Sequence, residues 1–269
     1  MDEEFSSDKI SLKRAFLWVF ISVLAISGTA TFGWLYYLHW KESLQSNPQY
    51  HIAVIAQTSP LGAHLDHHFF AEVLGLSRDH PTNLYAFNKK EGEKRLREHP
   101  LIKTATIEAL PPHSLHIDYE LRTPVAYIGD YVNVALDEQG VMIPFQPFFT
   151  PKKLPKLYFG FNDPAKWGHF LSDSRLQLGQ KILNEFKQRG IEVKSLDLSR
   201  LEGFSYGMRE IIVIVEETIE YKQVPRILRL NHKKPFQSLD AYWIYREHYI
   251  DLLPLTIDLR IKDLAFIVK

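Results

Sequence analysis

The sequence contains no cysteine. That absence excludes a disulfide framework, zinc–thiolate sites and cysteine nucleophiles. Neither sign of charge is in excess, because 32 Lys and Arg balance 32 Asp and Glu, so no strong field favours nucleic acid. Phosphate-binding glycine loops, the H-E-x-x-H metal pattern and low-complexity tracts are also missing from the sequence. We therefore expect no cofactor, no metal, no nucleic-acid partner and no small-molecule substrate.

One long apolar run is present. Residues 15–38 read AFLWVFISVLAISGTATFGWLYYL and carry no charge. About 20 apolar residues in a helix cross a hydrocarbon core of about 30 Å. Trp18 near one end and Trp34 and Trp40 near the other are typical of the aromatic belts at membrane interfaces. The run predicts a single transmembrane helix at 15–38; a buried core helix is the alternative.

A cleaved signal peptide is a second alternative for the same run. Lys13 and Arg14 provide a basic front, and the small residues Gly28, Thr29 and Ala30 resemble a cleavage site. The apolar stretch continues past them, which favours a retained anchor.

The flanks of the run predict its orientation. Lys13 and Arg14 precede it, and positive charge near the end of a span favours the cytoplasmic side. We expect a single-pass protein of the inner (cytoplasmic) membrane, with residues 1–14 as a cytoplasmic tail. Residues 39–50 form a polar linker, and everything beyond is periplasmic or extracytoplasmic.

Residues 51–122 predict a small domain in the order β-α-α-β-β. A strand at 51–57 precedes a helix at 65–74 whose inner face carries Leu65 and Phe69. Asn88 caps a charged second helix that contains an inward Leu96. Two strands follow, at 103–110 and 114–122, and the second alternates strictly between apolar and polar residues.

Residues 123–269 predict a strand-rich domain, so the fold class of the chain is α+β, with a mixed α/β second domain. A hairpin turns at 137–140, a proline-rich loop covers 150–161, and helices are expected at 172–189 and 236–249. Further strands are predicted at 191–198, 211–216, 218–222, 255–260 and 264–268.

Three stretches resemble a known family. These are HPLIKTATIEALPPHSLHIDYELRTPVAYI, and LDEQGVMIPF with the terminal TIDLRIKDLAFIVK. Together with the preceding apolar run, they resemble the FtsQ/DivIB family of bacterial cell-division proteins. The matching positions are Pro100, Ile102, Ala105, Ile107, Pro111, Leu115, Ile117, Arg122, Pro124, Val125, Ala126, Asp137, Gly140, Val141, Asp258, Leu259 and Arg260.

The resemblance implies a POTRA module at 51–122 and a β-domain at 123–269. It implies a non-enzymatic scaffold of the septum that binds other bitopic and polytopic division proteins through its last strands. Carried over by position, the partner-binding residues are Ile261, Leu264, Ala265, Phe266 and Val268. Ile261 stands where family members often carry an aromatic residue, and Leu264 where a glycine turn is common. Because side chains alternate along a strand, about half of these residues face the core instead.

The sequence leaves two alternative functions. A POTRA-type chaperone or docking protein for exported polypeptides would bind extended peptides along a module edge. A membrane-anchored hydrolase is suggested by Ser205, which lies in a G-x-S-x-G pattern. That pattern acts as a nucleophile elbow only between a strand and a helix, whereas the β-branched run that follows predicts a strand. We interpret the segment as a glycine-flanked hairpin.

Two polar clusters have plain interpretations. His64, His67 and His68 offer imidazoles for a metal, but the helix's apolar residues occupy its inner face, so solvated histidines are favoured. The basic stretch at 222–234 suits an acidic partner or lipid headgroups, and a solvated loop is the alternative.

Overall fold

The computed structural model describes residues 12–60, 64–203, 205–219, 222–249, 255–261 and 266–268. The fold is a mixture of helices and strand-rich sheets with a long apolar helix at the N-terminal end. The helices are α1 (Leu12–Ser46), α2 (His67–Leu74), α3 (Lys89–Glu98), α4 (Ser174–Gln188) and α5 (Pro235–Tyr249). The first strands are β1 (Val54–Thr58), β2 (Ile102–Leu110), β3 (Ser114–Leu121), β4 (Pro124–Ile128), β5 (Val134–Asp137) and β6 (Met142–Pro144). The remaining strands are β7 (Lys156–Tyr158), β8 (Glu192–Asp197), β9 (Glu210–Ile219), β10 (Lys222–Asn231), β11 (Thr256–Leu259) and β12 (Phe266–Val268).

Helix α1 is long and apolar enough to span a membrane. The alternative of a buried core helix is wrong, because no part of the apolar stretch of α1 is buried. Phe16, for example, is 71% exposed and Phe32 is 74% exposed. The helix continues past the predicted end at residue 38 as far as Ser46. The intervening KESLQS segment contains no helix breaker, and the helix ends directly before Asn47 and Pro48.

The hydroxyl groups within α1 find partners inside the helix. Ser22 Oγ donates to the Trp18 carbonyl at 2.8 Å, and Thr29 Oγ1 donates to the Ala25 carbonyl at 2.9 Å. Ser27 and Thr31 bond in the same way to carbonyls three and four residues earlier. A hydroxyl satisfied within its own helix needs no water, which is the requirement inside a lipid bilayer.

The first sheet has three strands in the order β1-β3-β2, and helices α2 and α3 lie between β1 and β2 in sequence. This confirms the predicted β-α-α-β-β order. Asn88 caps α3 by accepting a hydrogen bond from the Glu91 N–H at 3.2 Å, as predicted. The predicted alternation of β3 is also confirmed, since Leu115, Ile117, Tyr119 and Leu121 are all buried.

One prediction for α2 is wrong. Phe70 is completely buried and Phe69 is only partly buried, although the spacing argument placed Phe69 inside. The helix begins at His67, so Phe70 and Leu74 form its buried stripe at a spacing of four residues. Leu65 is buried as well, but it lies before the helix.

The second sheet has nine strands within the described residues, in the order β12-β11-β10-β9-β8-β7-β4-β5-β6. Strands β4, β7 and β8 are parallel neighbours, and α4 connects β7 to β8. The loop predicted at 150–161 is therefore wrong in part, because it contains β7. Strand β4 was not foreseen either. The predicted hairpin at 137–140 is confirmed by the antiparallel pairing of β5 with β6.

Helix α4 follows the prediction closely. The Asp173 side chain caps it by accepting from the Arg175 N–H at 2.8 Å. The apolar stripe is buried through Leu176, Ile182 and Phe186. The helix ends two residues before Gly190, whose φ of +67° is a left-handed conformation that favours glycine.

The strands around residue 220 differ from the prediction. Residues predicted as two short strands belong mainly to one strand, β9, and β10 occupies most of the stretch predicted as a basic loop. Strands β9 and β10 pair antiparallel over ten residues each, from Lys222 opposite Ile219 to Asn231 opposite Glu210. Helix α5 confirms the helix predicted at 236–249.

The described chain divides into two compact units. The first comprises Met1–Gln57, His67–Gly92 and Ile107–Ile117, and the second comprises Thr58–Asp66, Glu93–Thr106 and Asp118–Lys269. Neither unit is continuous in sequence. The domain boundary expected between residues 122 and 123 stays a prediction.

A buried ion cluster holds α5 on the second sheet. Glu217 of β9 and Arg226 of β10 are each 1% exposed, and the Arg226 Nε donates to a Glu217 carboxylate oxygen. From α5, the Tyr242 hydroxyl and Arg246 Nε donate to the other oxygen at 2.8 Å and 2.5 Å. Burial, followed by the charge of Glu217, raises the pKa of Tyr242, so its hydroxyl remains a donor.

This cluster predicts a large effect of Glu217→Ala. Removing the carboxylate takes the charge of Glu217 away from the buried guanidinium of Arg226, which costs about 3–5 kcal/mol of folding free energy. The matched control is Glu185→Ala, which removes an ion pair to Arg189 on a partly exposed helix face and costs less than about 1 kcal/mol. Thermal unfolding of the detergent-solubilised chain measures both. An equal loss in the two variants would contradict the assignment.

Candidate functional site

The end of the chain lies at one edge of the nine-stranded sheet. Strand β12 pairs antiparallel with β11, with Phe266 opposite Asp258 and Val268 opposite Thr256. Within the described residues no strand lies beyond β12. An edge strand presents backbone N–H and C=O groups that an added strand can pair with.

The opposite edge of this sheet is covered. The Met142 N–H of β6 donates to the His169 carbonyl at 3.0 Å, and the Gly168 N–H donates to the Met142 carbonyl at 2.8 Å. Val141 and Phe170 form an isolated antiparallel bridge beside them. The segment 168–170 therefore occupies the outer side of β6.

The structure locates three of the five predicted partner-binding residues. Ile261 follows β11 and is 53% exposed, which is high for a large apolar side chain. Phe266 and Val268 belong to β12. Leu264 and Ala265 lie outside the described residues. The partner-binding role of all five stays a prediction.

A groove of about 300 Å³ lies between α5 and the end of β11. Its apolar residues include Ala241, Leu259, the exposed Ile261, and Ile244, which is 63% exposed. Its base is held by Ser238, whose hydroxyl donates to the Leu259 carbonyl at 2.8 Å. The groove provides apolar surface directly beyond the edge-strand pair β11–β12.

Hydrogen bonds from the end of β10 fix the other wall of the groove. The Asn231 side chain donates to the Arg260 carbonyl at 2.7 Å, and the Asn231 N–H donates to the Ser238 hydroxyl at 3.2 Å. The end of β10, the start of α5 and the end of β11 are thereby tied together.

An ionic network crosses β9, β10 and β11 beside the groove. Glu210 is 1% exposed and contacts Arg229 at 2.6 Å, Arg200 at 3.0 Å and Arg260 at 3.5 Å. Asp258 contacts Arg260 at 2.7 Å and Arg229 at 3.3 Å. Three guanidinium groups thus meet two carboxylates, which leaves one excess positive charge at this part of the sheet.

Both carboxylates of the network have a lowered pKa. Burial opposes the ionised form of Glu210, but hydrogen bonds and charge from Arg229, with Arg200 and Arg260, outweigh it. Burial likewise opposes ionisation of Asp258, and the Arg260 side chain and backbone, with the charge of Arg229, lower its pKa. The charges of the network are therefore retained at neutral pH.

A second small pocket, of about 290 Å³, adjoins the network. Its charged lining consists of Arg209, Arg260 and Asp258, with His232 beside them. Burial, with the charges of Lys233 and Arg209, lowers the pKa of His232, which favours a neutral imidazole at pH 7. Two guanidinium groups against one carboxylate make this pocket suited to an acidic side chain.

No protein-family model matches this chain, and no characterised protein matches it significantly in sequence.

The G-x-S-x-G segment lies in the connection between the antiparallel strands β8 and β9, which confirms the hairpin interpretation. Ser205 precedes the short 3-10 helix Tyr206–Met208, and the chain then enters β9. The helix that a nucleophile elbow requires after the serine is not found here.

The histidines at 64, 67 and 68 are exposed, and no group of three or more metal-ligating side chains occurs in the part of the chain that the structure describes. The loop alternative for the basic stretch is wrong. Arg226 is buried in β10 and Arg229 contacts Glu210. Arg226, Leu228 and Leu230 are buried at alternate positions, as in a strand. This period of two was missed in the sequence because its first member is a charged residue.

The lowered pKa values predict loss of stability in acid. A carboxylate with a lowered folded-state pKa contributes stability above its unfolded pKa, and this contribution is lost as the pH falls through the folded value. The unfolding temperature should therefore decrease when the pH is lowered below about 4. Glu210→Gln should lower the unfolding temperature at pH 7 and reduce its dependence on acid pH. Glu98→Gln, on an exposed helix face, should leave the wild-type profile unchanged; an unchanged profile in Glu210→Gln would contradict the assignment.

Proposed function

We propose that the chain is a non-enzymatic cell-division scaffold of the inner membrane, which binds other division proteins through its extracytoplasmic part. The observation that carries the proposal is the position of β12. The strand that resembles the partner-binding strand of the FtsQ/DivIB family is the last strand of the large sheet among the described residues, and an apolar groove lies at the end of the neighbouring strand β11.

The membrane part of the proposal is supported by α1. The apolar residues of α1 are exposed along the helix, and so large an apolar surface would be unfavourable in water. Its internal hydroxyl bonds satisfy the requirement of a lipid environment. Lys13 and Arg14 at its start favour a cytoplasmic N-terminus.

The binding part of the proposal follows from strand addition. A partner strand pairing with β12 would extend the sheet through backbone hydrogen bonds, and side chains beside it would provide specificity. Ile244 and Ile261 offer apolar contacts along the groove, and the arginine-rich pocket nearby suits a carboxylate. The partner is therefore an extended segment that carries both apolar and acidic residues.

The topology predicts which side chains an impermeant reagent reaches. The chain has no cysteine, so a single introduced cysteine reports one position. With Val132→Cys, at a site 93% exposed, a membrane-impermeant maleimide should label intact cells from the extracytoplasmic side. With Ser6→Cys, labelling should require lysis. The reverse pattern, or a mature chain that begins near Thr31, would rule out the proposed anchor.

The edge predicts different effects for two substitutions of exposed apolar residues. Ile261→Asp places a charge where a partner chain would exclude water, so association with division proteins should fall by roughly tenfold or more. Val132→Asp, at an exposed site on the chain segment before β5, should leave association unchanged. Co-purification from membranes and recruitment to the septum measure both. Wild-type association in Ile261→Asp and in a deletion of 264–269 would remove the proposed role of the edge.

A further inference from the structure

A buried amide, that of Asn83, joins the end of α1 to the rest of the first compact unit. The last carbonyl groups of a helix have no partners within the helix. The Asn83 Nδ2 donates to the Leu44 carbonyl, in the last turn of α1, at 3.0 Å, and to the Asn47 carbonyl at 3.1 Å. Asn83 is only 6% exposed, so water competes little for these bonds.

The remaining polar atom of the Asn83 side chain is also used. Its Oδ1 accepts from the Tyr85 N–H at 2.8 Å, which fixes the local turn. The Asn83 carbonyl accepts from the N–H groups of Ala86 and Phe87 at 3.1 Å and 3.0 Å. Both donors and the acceptor oxygen of the amide are thus engaged, so its orientation is determined by the surrounding chain.

Additional contacts surround this amide. The Gln45 side chain donates to the Tyr85 carbonyl at 3.2 Å, and the Tyr50 and Tyr85 rings meet edge to face at 4.9 Å. The Leu84 N–H donates to the Tyr50 carbonyl at 2.8 Å. The segments before and after the end of α1 are therefore held by the same short stretch around residue 83.

We infer that Asn83 is a positioning residue that joins the membrane span rigidly to the rest of the first compact unit. Helix α1 continues eight residues beyond Leu38, which raises its end about 12 Å above the apolar run. The joint then fixes the direction in which the unit leaves the helix. This inference rests on the proposed function only in taking α1 as the membrane span, and it requires no partner.

The absence of native cysteine allows a direct test by spin labelling. Spin labels at Glu42→Cys in α1 and Glu72→Cys in α2 measure a distance across the Asn83 contact. Both positions are exposed, so a label can be attached there. A second pair, Glu72→Cys with Glu108→Cys on β2, reports the fold of the same unit. Double electron–electron resonance on the full chain in lipid nanodiscs should give similarly narrow distance distributions for both pairs.

Asn83→Asp is the informative substitution because it keeps the shape and the acceptor of the side chain. It removes both donors and places a carboxylate against the carbonyl groups of Leu44 and Asn47. We expect the 42/72 distribution to become clearly broader than in the wild type, while the 72/108 distribution stays narrow. Asn88→Asp, a capping residue that remains an acceptor, is the matched control and should change neither pair.

Two results would overturn the inference. One is a 42/72 distribution in Asn83→Asp as narrow as in the wild type. The other is a wild-type 42/72 distribution broader than that of the 72/108 pair, which decides the matter even if the substitution disturbs folding. Because neither measurement involves a division protein, failure of the joint is distinguishable from failure of the partner-binding proposal.

Discussion

The need of the peptide backbone for hydrogen-bond partners governs this structure from one end to the other. In α1 the helix satisfies its own backbone and its hydroxyl side chains, which is the condition for residence in lipid. At the end of that helix, the Asn83 side chain donates a hydrogen bond to the Leu44 carbonyl, which has no partner within the helix. In the second sheet, residues 168–170 meet the requirement at β6, whereas no strand lies beyond β12 in the part of the chain that the structure describes.

Two ionic clusters lie on the same sheet and have different roles. The pair Glu217 and Arg226 is buried under α5, where its bonds orient the helix. The network of Glu210 and Asp258 with three arginines lies nearer the surface and beside the groove. The first cluster fixes the wall of the candidate site, and the second gives the site its positive character.

Local patterns were sufficient to predict the elements in which periodicity and end signals agree. The apolar stripe of α4 ends at a glycine, β3 alternates strictly, and Asn88 starts α3; each of these was foreseen. Strand β10 was missed because its inward positions include Arg226, whose burial depends on a carboxylate in another strand. Strand β7 was missed because the three residues that follow Pro155 are too few to show a period. The residue pattern predicted a strand at 264–268, but the edge position of β12 depends on long-range pairing, so only the resemblance suggested that this strand is exposed to a partner.

The coverage of β6 also limits what the large sheet can assemble into. A fibre built by edge-to-edge pairing needs two complementary free edges on every subunit, so that each addition exposes a new one. Here segment 168–170 closes one side, and a chain that pairs through β12 has no equivalent edge to offer on the other. Among the described residues, the large sheet therefore lacks the second free edge that such a fibre needs.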